Sequence, residues 1–172
     1  MPLLCPIENL KDNSEIVLCD SALSKQAHIE LFHYKENAYI TLKEPEDYFK
    51  TIADTINLCN SETGKCISKI HIAANWLNLL KVSLWQTEKP SINNVISLLK
   101  NIGIGDHELQ PFRKSEIDDI LPWLYYGKRF DMLRKICYTA KRQIEGHFKD
   151  HFIRVDCHLI SEDAKRIVAS SL

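Results

Sequence analysis

Apolar and polar positions in the first 43 residues have the pattern of strands. Glu15 to Cys19 is a short run rich in β-branched residues, which predicts a strand. The segments His28 to Tyr34 and Ala38 to Lys43 are also rich in β-branched and aromatic residues, and the turn formers at 35–37 separate them. We therefore predict a β-hairpin, with one face of its second arm buried because apolar and polar residues alternate there.

The middle of the chain has the helical period instead. A first helix is predicted from Pro45 to about Cys59, because two acidic residues follow the proline and favour the positive end of a helix dipole. Apolar residues then recur at helical spacing from Ile67 to Leu84 and cover almost the whole circumference. This second segment is predicted to be the central, most buried helix.

Start and stop residues delimit three further helices. The third begins at Pro90 and ends at Gly103 in a left-handed cap. The fourth begins at Ser115, and Pro122 is expected to kink or split it. A long fifth helix is predicted from about Lys128 to Phe148. The residues that support these boundaries are Ser91 as a cap, Asp118 as the partner of Ser115 in a capping box, and Gly127 as a stop.

The period changes again near the carboxyl end. Apolar residues alternate with polar ones from His151 to Ile160, which predicts a half-buried strand that joins the amino-terminal sheet. Ser161, followed by two acidic residues, is then expected to cap a short last helix that carries Ile167 and Val168. The sequence thus predicts one α+β domain over residues 1–172: a small antiparallel sheet, made of the hairpin and this strand, with about five helices in the middle.

Composition is consistent with a globular protein. Of the 172 residues, 45% are hydrophobic and 26% charged, which suffices for a buried core. No stretch approaches the roughly 18 uninterrupted apolar residues of a membrane span, and the chain does not begin with a basic region followed by an apolar run. Six cysteines are too sparse for a disulfide scaffold. We therefore expect an intracellular, cytoplasmic protein with free thiols.

Charge is distributed unevenly along the chain. Residues 1–63 contain five basic and eleven acidic residues, net −6, whereas residues 128–154 contain eight basic and three acidic residues, net +5. On a helical wheel the basic residues of the fifth helix lie opposite its apolar face. This basic face is a candidate site for polyanions such as the RNA or DNA backbone, or it is an ordinary solvated surface. Its candidate binding residues are Arg134, Lys135, Tyr138, Lys141, Arg142 and Lys149.

Three functional hypotheses follow from these patterns. The first is a non-enzymatic binding or assembly module, in which the acidic amino-terminal third and the basic helix mediate self-association or docking to a protein partner. The second is a nucleic-acid-binding protein that uses the basic helix without sequence specificity. The third is a thiol- or zinc-dependent enzyme. No phosphate loop, dinucleotide fingerprint or nucleophile elbow is present, so the sequence favours a non-enzyme and predicts no cofactor.

Histidines and cysteines near the carboxyl end lie within loose reach of zinc geometry. His147 and His151 are four residues apart, and Cys157 and His158 follow shortly after. The spacing matches no standard zinc finger, and buried thiols with ordinary histidines explain it as well, so no metal ligand and no catalytic residue is assigned. The cysteine nucleophiles that the enzyme hypothesis would draw on are Cys5, Cys19, Cys59, Cys66, Cys137 and Cys157.

Three polar residues interrupt the apolar surface of the predicted central helix. His71, Asn75 and Asn78 form a narrow stripe, which is either the strip that meets solvent or a buried polar network that serves a ligand. The tryptophans, in contrast, lie in apolar helical segments and are interpreted as core or interface anchors: Trp76, Trp85 and Trp123.

Overall fold

Five strands form one mixed sheet in the computed structural model, which describes residues 14–41, 52–54, 67–147 and 153–172. The sheet has the strand order β2-β1-β3-β4-β5. The first four strands run parallel to one another, and only β5 is antiparallel to its neighbour β4. The strands are β1 (Ser14–Cys19), β2 (Tyr39–Thr41), β3 (Ile67–Ala74), β4 (Arg154–Ser161) and β5 (Arg166–Ser170).

Helices lie on both faces of this sheet. One face packs against the larger apolar core and the helices that build it, and the opposite face packs against α1. Within the described ranges no helix is both long and apolar enough to cross a membrane. The helices are α1 (Ala22–Phe32), α2 (Trp76–Leu84), α3 (Ile92–Asn101), α4 (Asp106–Leu109), α5 (Ile120–Tyr126) and α6 (Phe130–Gly146), with 3-10 turns at Glu36–Ala38, Gln110–Lys114 and Ile117–Asp119.

The α+β class is confirmed, but the predicted small antiparallel sheet, its hairpin and the count of about five helices are wrong, since the sheet has five mostly parallel strands and the described residues contain more than five helices. Most of His28 to Tyr34 belongs to α1, whose first turn is capped by Ser21, since the Ser21 hydroxyl accepts a hydrogen bond from the Ser24 backbone N–H. The segment after it does form β2, which pairs with β1 in parallel. A helical crossover is what a parallel pair requires, so the hairpin pattern of β-branched and aromatic residues was misleading.

The predicted central helix is wrong in its first half. Residues 67–74 form β3, Asn75 caps the next helix through its side chain, and only Trp76–Leu84 is helical. β3 is paired at both edges, with β1 and with β4, and most of its residues are buried because apolar clusters cover both faces of the sheet. Its apolar residues Ile67, Ile70 and Ala74 have the spacing of one face of a helix, which is why the sequence favoured a helix here.

The predicted last helix is also wrong. After Ser161 the chain turns through residues 162–165, with Lys165 at a φ of 51°, and returns as β5. The two β-branched residues Ile167 and Val168, which were assigned to a helix, lie in this strand. The pairing of β5 with β4 is therefore the only antiparallel contact in the described part of the sheet.

Several other predicted elements are confirmed. The strands at Glu15 to Cys19 and near 151–160 exist, and the second joins the sheet beside β3, but it is buried on both faces and not half-buried as predicted. The third helix has its cap at Ser91, and Gly103 beyond it has a φ of 111°. The fifth helix corresponds to α6. Of the helix predicted at 45–59, only the helical residues 52–54 are described, and the rest lies outside the described residues.

The predicted fourth helix begins differently from the prediction. Its capping box is formed by Glu116 and Asp119, one residue after the predicted pair. The chain then changes from a 3-10 turn to α5 at Ile120, so Pro122 lies in the first turn of α5, where its missing N–H costs no helical hydrogen bond. Gly127 ends α5 as predicted.

Asp20 joins three elements at the carboxyl end of β1. The strand order changes direction between β1 and β3, a position where open sheets often bind ligands. Here the buried Asp20 carboxylate occupies it, accepting hydrogen bonds from Ser24 Oγ at 2.5 Å, the Asn75 backbone N at 2.7 Å and Asn78 Nδ2 at 2.9 Å. The carboxylate thus fixes the starts of α1 and α2 against the sheet.

Replacement of this carboxylate is expected to destabilise the fold. Asp20→Ala leaves three buried donors without their acceptor, which should lower the free energy of unfolding by about 2–4 kcal/mol. The exposed Asp118 serves as the matched control, and Asp118→Ala should change the free energy by less than about 0.5 kcal/mol. Urea denaturation followed by circular dichroism measures both, and equal stability of the two variants would contradict the role given to Asp20.

Candidate functional site

Three buried histidines meet on the face of the sheet that α1 covers. His28 comes from α1, His71 from β3 and His158 from β4, and their exposed fractions are 0%, 1% and 0%. Register explains the meeting, because His71 pairs with Asp156 and His158 pairs with Ala73, so the two strand histidines are diagonal neighbours on one face. We name these three residues the histidine centre.

The rings of the histidine centre place one nitrogen each near a common point. Those three nitrogens lie within 4.8 Å of one another. His71 Nδ1 is 3.1 Å from His158 Nε2, and the two rings are nearly parallel. The His28 ring stands edge-on to both, with centroid distances of 5.2 Å and 5.0 Å. Phe32, one turn further along α1, stacks on His28 at 4.5 Å.

The outer nitrogen of each ring is held by a hydrogen-bond partner. His28 Nδ1 is 2.8 Å from the Tyr39 hydroxyl, and His158 Nδ1 is 2.7 Å from Ser170 Oγ. His71 Nε2 is 3.1 Å from the Tyr34 hydroxyl. Because that hydroxyl donates its proton to Glu15, His71 Nε2 carries a proton and His71 Nδ1 is an acceptor. These contacts fix the orientation of each ring. We call the second nitrogen of each ring the inner nitrogen, namely His28 Nε2, His71 Nδ1 and His158 Nε2.

One inner nitrogen has no partner. His28 Nε2 is buried and makes no hydrogen bond with the residues that the structure describes. An unsatisfied buried polar atom costs about 1–3 kcal/mol, so proteins rarely keep one without a use for it.

Burial keeps the histidine centre uncharged. Desolvation is the main cause that lowers the pKa of His28 to about 3 and that of His158 to about 3. Electrostatic interaction with the neighbouring histidines lowers both values further. Desolvation also lowers the pKa of His71, although Asp156 and Glu15 oppose the shift. All three imidazoles are neutral near pH 7, which is the form that coordinates metal ions.

Two carboxylates, those of Glu15 and Asp156, lie close to the histidine centre. The hydrogen bond from Tyr34 is the main cause that lowers the pKa of Glu15, whose carboxylate lies 3.5 Å from His71 Nε2. Burial alone would raise the pKa of Asp156, but its contact with Lys69 at 2.7 Å holds that pKa below its usual value. Two carboxylates therefore stay ionised close to the histidines.

The predicted basic residues of the fifth helix are only partly together on a free surface. Arg134, Lys135, Tyr138 and Arg142 are exposed on α6. Lys141 is instead turned towards the protein, with Asp156 at 3.5 Å and Glu145 at 3.9 Å. Lys149 lies outside the described residues.

The zinc ligands considered from the sequence do not come together. His147 is exposed at the end of α6 and stacks on Trp85 at 4.0 Å, and His151 lies outside the described residues. Cys157 and His158 are adjacent in a strand, so their side chains point to opposite faces of the sheet. Only His158 belongs to the histidine centre.

The described thiols are buried. Desolvation raises the pKa of Cys19 to about 12 and that of Cys137 to about 12, and it raises the pKa of Cys157 well above its ordinary value. A thiol nucleophile needs access and a low pKa, so these three do not suit the enzyme hypothesis. The other three cysteines, Cys5, Cys59 and Cys66, lie outside the described residues.

The polar stripe assigned to the central helix belongs to two separate networks. His71 lies in β3 and in the histidine centre, whereas Asn75 and Asn78 start α2 and bind Asp20. His71 and Asn78 are buried, so the interpretation of the stripe as a solvent-facing strip is wrong.

The histidine centre could not be recognised from the sequence because its members are far apart in the chain. His71 and His158 are separated by 87 residues and match no motif. The signal available was a histidine within each of two apolar runs. That signal becomes useful only when both runs are known to be adjacent parallel strands.

Comparison with known proteins gave no relative. No protein-family model, no curated protein and no solved structure matches the chain.

The buried thiols should be inert in the folded protein. A Cys5→Ser, Cys59→Ser, Cys66→Ser variant retains Cys19, Cys137 and Cys157, of which roughly one in ten thousand or fewer is a thiolate at pH 8. We expect its reaction with a disulfide reagent to be at least about 100-fold slower in native buffer than in guanidinium chloride. Fast native reaction of any of the three thiols would contradict the burial described.

Proposed function

We propose that the protein binds one transition-metal ion of the zinc class at the histidine centre. The observation that carries this proposal is the arrangement of the three rings: every outer nitrogen is held by a hydroxyl group, and one nitrogen of each ring lies within 4.8 Å of the others. Histidine ligands of metals have the same arrangement, in which the second ring nitrogen is fixed by an outer hydrogen bond.

The distances fit coordination after a small closure. Ligand nitrogens 2.1 Å from a tetrahedral ion lie about 3.4 Å apart. His71 Nδ1 and His158 Nε2 are already 3.1 Å apart, and the largest separation in the group is no more than 4.8 Å. Side-chain shifts of about 1.4 Å or less would therefore bring all three nitrogens into range.

Proton positions are also compatible with an ion. His71 already presents an unprotonated Nδ1, and the partnerless His28 Nε2 gains a partner on coordination. His158 must adopt the tautomer in which Nδ1–H donates to Ser170 Oγ, a contact that exists at 2.7 Å. No histidine has to lose a net proton, because all three are neutral near pH 7.

The ligand chemistry selects the class of ion. Imidazole nitrogens suit Zn²⁺, Cu²⁺, Fe²⁺ and Ni²⁺, whereas Mg²⁺ and Ca²⁺ prefer oxygen ligands. The group of candidate ligands in the described residues contains the three histidines alone. A tetrahedral ion at this centre would therefore keep its fourth position for water or another oxygen donor.

Docking to a protein partner, or self-association through charged surfaces, stays a prediction. Six of the eleven acidic residues between 1 and 63 lie outside the described residues.

Metal titration tests the proposal directly. We expect one equivalent of Zn²⁺ or Co²⁺ to bind the full chain and Mg²⁺ not to compete. At about a hundred times its Kd, free Zn²⁺ should stabilise the fold by about 2.7 kcal/mol. His28→Phe keeps an aromatic ring beside Phe32 but removes the ligand nitrogen, so it should abolish binding. His107→Ala, at an exposed histidine, is the control and should bind normally.

Two results would overturn the metal proposal. One is the absence of bound Zn²⁺ together with an unchanged melting temperature of the wild-type chain. The other is a Co²⁺ complex whose spectrum shows thiolate ligation, since no cysteine belongs to the centre. The spectrum is recorded on the wild type, so it remains informative even if His28→Phe does not fold.

The outer hydrogen bonds should tune the affinity. Tyr34→Phe removes the hydroxyl that fixes His71 and links it to Glu15, and loss of such a partner typically weakens metal binding 10–100-fold. Tyr126→Phe alters a tyrosine that is 75% exposed and should leave the affinity unchanged. Competition with a chromophoric zinc chelator measures both, and equal affinities would show that the Tyr34 contact does not orient His71.

A further inference from the structure

The exposed face of α6 has a second arrangement that the histidine centre does not use. Arg134, Tyr138 and Arg142 follow one another at intervals of four residues, so they form a row with steps of about 6 Å and a length of about 12 Å. Lys135 lies beside this row. We name these four residues the α6 row. The opposite side of the helix is buried in the core through Leu133, Ile136, Cys137, Ala140 and Ile144.

The cations of the α6 row are not neutralised by the described part of the protein. Arg134, Lys135 and Arg142 make no ion pair with any described acidic side chain, in contrast to Lys141. Arg134 donates one hydrogen bond to the backbone oxygen of Leu172, the last residue of the chain, and Lys135 donates one to the Ile102 carbonyl. Each of these two side chains is thus oriented while most of its donors stay available for a ligand.

A groove runs alongside these side chains. It has a volume of about 420 Å³ and lies between α6 and the end of β5. Besides three members of the α6 row, it is lined by one acid, Asp131, and by the end of the chain at Ser170, Ser171 and Leu172. Tyr138 also lines the groove and is 50% exposed, so its ring is accessible to a ligand. An aromatic ring between cations offers a stacking surface next to phosphate donors.

We propose that the α6 row binds single-stranded nucleic acid. The arginines and Lys135 contact successive phosphates, and Tyr138 stacks on one unpaired base. A duplex fits this arrangement less well, because its bases are paired and stacked on one another and cannot lie on Tyr138. The row contacts only a few nucleotides, so binding is weak and independent of base identity.

This proposal is independent of the metal site. The α6 row lies on the side of the sheet that carries the larger core, whereas the histidine centre lies on the α1 side. The histidine variant that cannot hold metal should therefore bind oligonucleotide like the wild type, and each proposal can fail alone.

Fluorescence anisotropy with a labelled 15-nucleotide oligo-dT tests the proposal. If about three cations contact phosphates, the slope of log K against log salt should be about −2 for a single strand. Lys135→Glu with Arg142→Glu should weaken binding at least about tenfold at low salt and bring the slope close to −0.7. Lys114→Glu with Lys165→Glu is the matched control, since it reverses two exposed lysines elsewhere with the same change in net charge.

The Tyr138→Ala variant tests whether the α6 row prefers single strands to a duplex. Tyr138→Ala should weaken oligo-dT binding about tenfold and leave the weaker binding of a duplex of equal length unchanged. Equal effects of the two charge-reversal pairs would overturn the α6 row as the binding surface. Duplex binding as tight as that of oligo-dT, with no effect of Tyr138→Ala, would overturn the assignment to single strands, and so would the absence of any binding at 25 mM salt.

Discussion

The burial of β3 between two parallel neighbours is the constraint on which the rest of the structure depends. Both edges of β3 are hydrogen-bonded, to β1 and to β4, and its residues after Lys69 have almost no contact with solvent. Any polar side chain placed on this strand must therefore find its partners inside the protein. His71 is such a side chain, and the register of β4 brings His158 to it from the far end of the chain.

Asp20 and the histidine centre, both buried, differ in how completely their hydrogen bonds are formed. Asp20 has all its hydrogen bonds satisfied by Ser24, Asn75 and Asn78, which is what a structural role requires. The histidine centre leaves His28 Nε2 without a hydrogen-bond partner in the described part of the chain, although its three outer nitrogens are well held. Among the described residues Asp20 is thus fully hydrogen-bonded, whereas the histidine centre keeps one unsatisfied nitrogen, and the proposed metal site rests on this contrast.

The sequence predicted those elements whose signals are local. α3 and α6 have clear amphipathic periods, with Ser91 marking the start of α3, and β4 alternates between apolar and polar residues. β3 could not be distinguished from a helix, because Ile67, Ile70 and Ala74 recur at intervals of three and four residues, as they would on one face of a helix. The direction of β2 and the nature of β5 were also inaccessible, since they depend on which strand lies next to them.

The same distinction holds for the candidate sites. The exposed cations of α6 could be identified one by one, because a helical wheel places them without knowledge of the fold. What the wheel could not show is that Lys141 turns towards Asp156. The histidine centre required both the parallel order and the exact offset between β3 and β4, and neither is written in local spacing.

The distance in sequence between β3 and β4 also affects how the protein comes into being. β3 ends at Ala74, whereas its second partner β4 begins at Arg154, so one edge of β3 stays without that partner until about 80 further residues have been made. Pairing across such a separation is slow, because the loop-closure entropy is lost before the contacts form. During synthesis this edge of β3 is therefore open to non-native pairing, which is a general route to aggregation.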